Sequence, residues 1–304
     1  MKPSPTPNAE ILSLSASQEL SQPSVGTLSD FAVHYVLTRN LNEKRIPPSL
    51  SLELGELPWP VDVRPHRPPE LQVTTDKPRS MKQGALLQPK RRAEVVHKFW
   101  HHELQAAELM CWALLRFPEA PAEFRRGLMR VCRDEIRHMG LYEEHLERLG
   151  YRVGDFPVRD WFWERATTCP SIVSFLAFIG MGLEGANLEH TERFAAWFRA
   201  VGDERGAEIQ DQVGREEVAH VRFATRWFRH YTGGVDFDTW LEELPPPISP
   251  VLLRGKKLRW DLREKAEMPR PFLEKLEAWE PDGFSDGPRV SPAAPGDDPS
   301  CIGS

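Results

Sequence analysis

The chain has 304 residues, 40% hydrophobic and 28% charged, with a formal net charge of −6. That length buries a sizeable core without disulfide staples, and no run of about 18 apolar residues suggests a membrane span. The acidic balance argues against nucleic acid as the main partner.

The opening stretch, MKPSPTPNAEILSLSASQEL, lacks the apolar core and cleavage site of a secretory signal. Cys111, Cys132, Cys169 and Cys301 show no CxxC spacing, so a reduced, cytoplasmic protein is expected. Proline is unevenly placed. Of 28 prolines, thirteen lie in residues 1–89, eleven in 245–304, and only Pro118, Pro121, Pro157 and Pro170 in between. A proline inside a helix removes a hydrogen bond and clashes with the preceding turn, so long helices belong to the middle. Residues 1–26, rich in Ser and Pro, read as a disordered tail. Residues 27–89 read as a short helix and an extended proline-rich arm. Thr27-Leu28-Ser29-Asp30 can cap a helix over Phe31–Leu41. The arm carries Leu54, Leu57, Trp59 and Val61 and must lie against something.

Residues 90–244 hold four long amphipathic segments. The first, Lys90–Phe117, has the stripe Val96, Phe99, Ala106, Met110, Leu114. The joint Pro118–Pro121 is short, so the next segment turns back antiparallel. That segment, Pro121–Leu149, has proline in its first turn and Gly150 past its end. A connector, Gly150–Thr168, carries Trp161 and Trp163. The third segment is Pro170–Val201. After the Gly202-Asp203 joint comes Asp203–Tyr231, closed by Gly233-Gly234. Two antiparallel pairs joined by one longer crossover make an all-α four-helix bundle. Residues 245–285 read as a C-terminal extension with short helices near Val251 and Phe272, and residues 286–304 as a second disordered tail. The basic stretches Lys77–Arg92 and Arg254–Arg259 read as solvated linker or helix ends.

Ionisable residues interrupt the apolar stripes. Glu103 lies between Phe99 and Ala106. Glu135 and His138 fill the gap between Val131 and Tyr142. Glu184 falls between Gly180 and Leu188, and Glu217 and His220 between Val213 and Ala224. Burying an unpaired carboxylate costs several kcal/mol. Four carboxylates cannot satisfy one another while ionised, whereas a pair of divalent cations satisfies them all. A polar network without metal is the competing reading. Glu-x-x-His alone is weak: with 30 Glu and 10 His, about one match arises by chance, and three occur. The repeat discriminates, since Glu103 precedes Glu135 by 32 residues and Glu184 precedes Glu217 by 33. Glu103 and Glu135 both lie about 21 Å from their joint and are therefore level. Glu94/His97 lacks a counterpart and reads as the chance match. His101, His102, Glu108 and Glu189 fall off the ligand face and read as solvated or capping residues. Imidazole and carboxylate donors suit iron or manganese.

These residues resemble the ferritin-like di-iron carboxylate superfamily. More narrowly, the chain resembles a bacterial ferritin-like family carried as a domain of unknown function, distantly similar to the di-iron tRNA hydroxylase and rubrerythrin. The matching stretches are Arg67-Pro68, His102-Glu103-Leu104-Gln105-Ala106, Asp134-Glu135-Ile136-Arg137-His138, Gly154-Asp155-Phe156-Pro157, Leu183-Glu184-Gly185-Ala186, and Glu216-Glu217-Val218-Ala219-His220-Val221 with Arg226-Trp227-Phe228. They cover roughly residues 27–245. Glu216 departs from the Asp more usual in that family but keeps a carboxylate. The resemblance implies metals on Glu103, Glu135, His138, Glu184, Glu217 and His220, with Glu135 and Glu217 bridging and Glu103 and Glu184 terminal. It implies that Asp134 and Glu216 orient ligand histidines across the bundle, with Arg137 neutralising the acids. Tyr142, one turn beyond His138, is a candidate redox or hydrogen-bonding residue, or core.

The expected function is a di-metal carboxylate oxidoreductase using dioxygen or peroxide on a small-molecule substrate, a hydroxylase being one form. Two iron ions are the expected cofactor, with Mn/Fe or two Mn as alternatives, and an external electron donor is a candidate partner. A tRNA substrate is disfavoured by the acidic charge but stays open, and no membrane partner is expected. Iron-oxidising metal handling is one alternative, although about 90 residues before the bundle and about 60 after it would obstruct a ferritin-type cage. A non-catalytic helical scaffold is the other.

Overall fold

The computed structural model describes residues 26–55, 64–76 and 82–281. Leu57, Trp59 and Val61 of the arm, the first part of the Lys77–Arg92 stretch, both proposed tails apart from Gly26, and Cys301 lie outside these residues. The described residues are helical, with no strand among them. Their extended parts make two isolated parallel bridges, Thr27 to Glu53 and Val73 to Val158.

The first helix, α1, spans Leu28–Leu37. It starts and ends earlier than expected, because Thr27 is itself the cap: the Asp30 N–H donates to its hydroxyl at 3.1 Å. Helix α2 spans Pro89–Arg116 with proline in its first turn, and α3 spans Ala122–Arg148. The short α4, Trp161–Ala166, lies within the connector. Helix α5 runs Ile172–Ala200, capped by the Ser171 hydroxyl, which accepts from Ser174 N–H at 3.0 Å. Helix α6, Glu204–Thr232, begins at an Asp203 cap and ends at Gly233, whose φ of 77° is the left-handed turn that glycine adopts without a Cβ penalty. Three short helices follow: α7 Phe237–Glu242, α8 Trp260–Lys265 and α9 Arg270–Ala278. The helix expected near Val251 is a single 3-10 turn, Pro250–Leu253. Helix α8 was not expected.

The hairpin α2–α3 and the hairpin α5–α6 each pack along their length, and α3 meets α6 between them. Phe99 of α2 meets Phe194 of α5 edge-on at 4.9 Å. Helices α5 and α6 approach closely at glycine: a Cβ on Gly180 would lie 2.3 Å from the Ala224 Cβ. Helix α5 holds no unbroken run of 18 apolar residues, as expected, yet by length and composition alone its most apolar window could cross a bilayer. That window tolerates a buried glutamate among its apolar residues. It is 83% buried inside the protein, so core packing accounts for its apolarity.

The flanking segments are fastened to the helices by buried charge, not by apolar contact alone. Lys44 Nζ and Arg67 Nη1 both donate to Glu108 Oε1, at 2.7 and 2.6 Å. Arg67 continues to Asp160, which also accepts from His101 Nε2 at 3.2 Å. In the extension, Arg263 donates to both oxygens of Glu189 at 2.8 Å. The reading of Glu108, Glu189 and His101 as solvated or capping residues is therefore wrong. Helical spacing placed them off the ligand face but could not show that the arm and extension cover them. His102 is half-buried and borders a cavity.

Candidate metal centre

Each long helix contributes to one buried cluster. Glu103 comes from α2, Glu135 and His138 from α3, Glu184 from α5, and Glu217 and His220 from α6. All six are buried. Residues three apart share a helix face, which sets His138 Nδ1 3.3 Å from Glu135 Oε2 and His220 Nδ1 3.2 Å from Glu217 Oε2. Between helices, His220 Nδ1 lies 3.0 Å from Glu135 Oε1, and His138 Nδ1 3.8 Å from Glu103 Oε2. The Glu184 position depends on a local irregularity. Residues Leu176–Leu183 are π-helical, and the Glu184 N–H donates to the Ile179 carbonyl five residues back. Such turns are rare and recur at functional sites.

Two overlapping quartets result. In Glu103, Glu135, His138 and Glu217, one donor atom from each residue lies within 4.8 Å of all the others. The same is true of Glu135, Glu184, Glu217 and His220. Glu135 and Glu217 belong to both.

The electrostatics carry a surplus of negative charge. Burial, reinforced by the neighbouring Glu135, pushes the Glu103 carboxyl well above the usual carboxylate range. Burial, with Glu217 and Glu135 nearby, does the same to Glu184. Burial would also raise Glu135, but His220 and His138 outweigh it and hold that carboxyl well down. Burial opposes charge on both histidines. The carboxylates overcome it, so His138 and His220 are both raised. The cluster thus balances its charge with protons where two divalent cations would balance four carboxylates. One further observation fits cations: Glu217 Oε1 is buried without a hydrogen-bond donor. Glu135 Oε1 also lacks a well-directed hydrogen bond, although it is within ion-pair distance of His220. Unsatisfied buried carboxylate oxygens are costly unless something partners them.

The family described as protein of unknown function (DUF455) matches residues 30–274. The chain belongs to this family. An uncharacterized protein of Haemophilus influenzae is 32% identical over 144 residues, which is 45% of this chain and 50% of that relative. The chain therefore matches about half the length of this relative. No solved structure matches significantly.

In this DUF455 chain, the acids flanking the cluster cross between the hairpins. His138 Nε2 lies 2.7 Å from Glu216 Oε2 on α6, and His220 Nε2 lies 3.4 Å from Asp134 Oδ2 on α3. Hydrogen bonds from His138, together with Arg137, hold the Glu216 carboxyl down to about 2, so it accepts from an Nε2–H. That leaves each Nδ1 turned toward the quartets. Arg137 Nη2 reaches Glu216 at 2.7 Å and Asp134 at 3.4 Å. Tyr142 is buried outside both quartets, and its hydroxyl accepts from Gln210 Nε2 at 3.1 Å. Glu94 pairs with Arg91. His97 is buried and accepts the Gly154 N–H at Nε2, at 2.9 Å, so this third Glu-x-x-His fastens the connector to α2.

The cluster borders a cavity of about 50 Å³, room for several waters or one end of a small molecule. Glu103, Glu184 and Tyr142 line it, with His102, Asn187, His190 and Gln210, none of which sequence reasoning assigned to a site. Polar residues on otherwise apolar helix faces were the available signal for Asn187, His190 and Gln210.

Proposed function

We propose that this protein is a di-metal carboxylate oxidoreductase on a ferritin-like four-helix bundle, using dioxygen or peroxide to oxidise a small substrate. The observation that carries the reading is the pair of buried quartets sharing Glu135 and Glu217. Glu103 and His138 would hold one ion, Glu184 and His220 the other, with Glu135 and Glu217 common to both. Two iron ions bound there would supply the redox chemistry; manganese suits the same donors. The protein's own part is positional. Glu216 and Asp134 fix the histidine rings through Nε2, and Arg137 offsets their charge. The apolar helix faces exclude water, and the cavity admits substrate on the Glu103 and Glu184 side. That cavity favours substrate oxidation over iron handling, because its remaining walls are chiefly apolar and aromatic and offer an ion no path of carboxylates.

The test is metal analysis of purified and anaerobically reconstituted protein. About two iron or manganese ions per chain are expected in the wild type, with loss of most metal in Glu135→Ala and His220→Ala. A wild-type protein that takes up neither metal overturns the reading. Adding oxygen to the ferrous protein should give a transient absorbance in stopped flow. Repeated turnover of added iron with mineral formation would instead favour metal handling, and tRNA binding at physiological salt would favour a modified base as the substrate.

A further inference from the structure

The cavity beside Glu103 and Glu184 has a pattern of satisfied and unsatisfied groups. Its apolar wall includes Phe99, Ala106, Phe162, Leu183, Phe194 and Leu252, and no lysine or arginine lines it. Most polar groups on it are engaged. Thr191 Oγ1 donates to the Asn187 carbonyl at 2.7 Å, Asn187 Nδ2 to Glu184 at 3.3 Å, and Gln210 to Tyr142 at 3.1 Å. His102 and His190 differ. His102 touches the rings of Phe99 and Phe162, with centroids 6.4 and 4.7 Å away. His190 is only 8% exposed. Among the described residues neither imidazole makes a hydrogen bond. His190 is buried and His102 half-buried, and the ring nitrogens of both keep some accessible surface. On an otherwise apolar wall these two imidazoles are the polar groups left to partner a ligand.

We propose that this cavity binds the uncharged, apolar end of a substrate bearing one hydrogen-bonding group, such as an alcohol, ketone or amide, held by His102 and His190 beside the metal centre. The assignment of substrate rests on the oxidoreductase reading, whereas the binding itself does not require metal. The absence of a lining cation disfavours a carboxylate or phosphate. Burial, with Arg193 and Arg263 nearby, pushes the His190 pKa down to about 3, so this ring offers a neutral donor and acceptor.

The experiment is saturation-transfer NMR titration of 1-butanol, 1-chlorobutane and butyrate on the full chain. It is run on iron-loaded and on chelator-treated protein, with metal content measured on the same samples. The wild type should bind 1-butanol saturably and more tightly than the other two. His190→Phe should weaken 1-butanol about fivefold, the worth of one neutral hydrogen bond, while 1-chlorobutane is retained. Ala106→Phe, with circular dichroism unchanged, should abolish saturable binding by filling the cavity. An alcohol bound no better than its chloro analogue, a preference for butyrate, or 1-butanol binding intact in Ala106→Phe each overturns the proposal. Equal loss of alcohol and chloro analogue in His190→Phe also overturns it. Binding of 1-butanol to a chain that takes up no metal leaves the cavity proposal standing and removes the oxidoreductase reading. Iron-loaded protein that binds none of the three removes the cavity proposal alone.

Discussion

At the residue scale, the crossed contacts between hairpins are the features most open to test. Each candidate histidine ligand has its remote nitrogen held by an acid from the opposite helix: His138 by Glu216 and His220 by Asp134. Such partners set the tautomer and ring orientation of a ligand, and losing one costs about 10–100-fold in metal affinity. Glu216→Ala is therefore expected to weaken iron binding by about that factor, and Asp134→Ala by less, since its contact is longer at 3.4 Å against 2.7 Å. Competition with a coloured chelator measures both. Equal affinities in wild type and Glu216→Ala would mean that the contact does not orient the ring. The six candidate ligands were legible in the sequence because helix periodicity places i and i+3 on one face and the matched spacing sets their height. The two quartets need one thing more, the rotation of each helix about its own axis, and periodicity gives that only relative to the core. The π-helical turn before Glu184 was illegible, since Leu176–Leu183 is apolar at every position except glycine and carries no periodic signal.

At the element scale, the long helices were legible to within one or two residues because proline, glycine and capping residues mark their ends. The packing of the flanks was not. Glu108 looked solvated because its helix position faces away from the candidate ligands. In the structure it accepts from Lys44 and Arg67, and neither Glu108 nor Lys44 is exposed. This cluster joins four elements: Lys44 follows α1, Arg67 sits in the arm, Glu108 on α2, and Asp160 precedes α4. Removing the central carboxylate leaves two cations facing each other in a buried site. Breaking a buried ion pair from one side costs about 3–5 kcal/mol, so Glu108→Ala should lower unfolding stability by about that amount. Glu108→Gln, which keeps the shape and an acceptor, should cost less. Urea denaturation of the three proteins decides the matter. A loss below about 1 kcal/mol in Glu108→Ala would show that the arm is not held by this cluster. The extension is fastened in the same manner by Arg263 and Glu189, so both flanks are anchored through carboxylates lying off the face of the candidate ligands.

At the scale of the whole molecule, the two hairpins, arm and extension share one core, so a proton taken up at a buried fastening should register in global stability. His97 is such a fastening. It is fully buried, accepts the Gly154 N–H, and ties the crossover connector to α2. Burial, with His101 adding to it, pushes its pKa from 6.5 to about 4. A folded-state pKa below the unfolded value means that the unfolded chain binds more protons between the two. Stability from His97 is therefore fully present above about pH 6.5 and is lost as pH falls toward 4, by at most about 3 kcal/mol. His97→Gln keeps an acceptor for Gly154 and removes the titration. The comparison to make is the difference in unfolding free energy between wild type and His97→Gln, measured by urea denaturation at pH 7.5, 5.5 and 4.5. The difference cancels the titration of carboxylates common to both proteins. It should shift in favour of His97→Gln as the pH drops. A difference that stays constant across the three pH values would show that the connector is not held by a neutral imidazole.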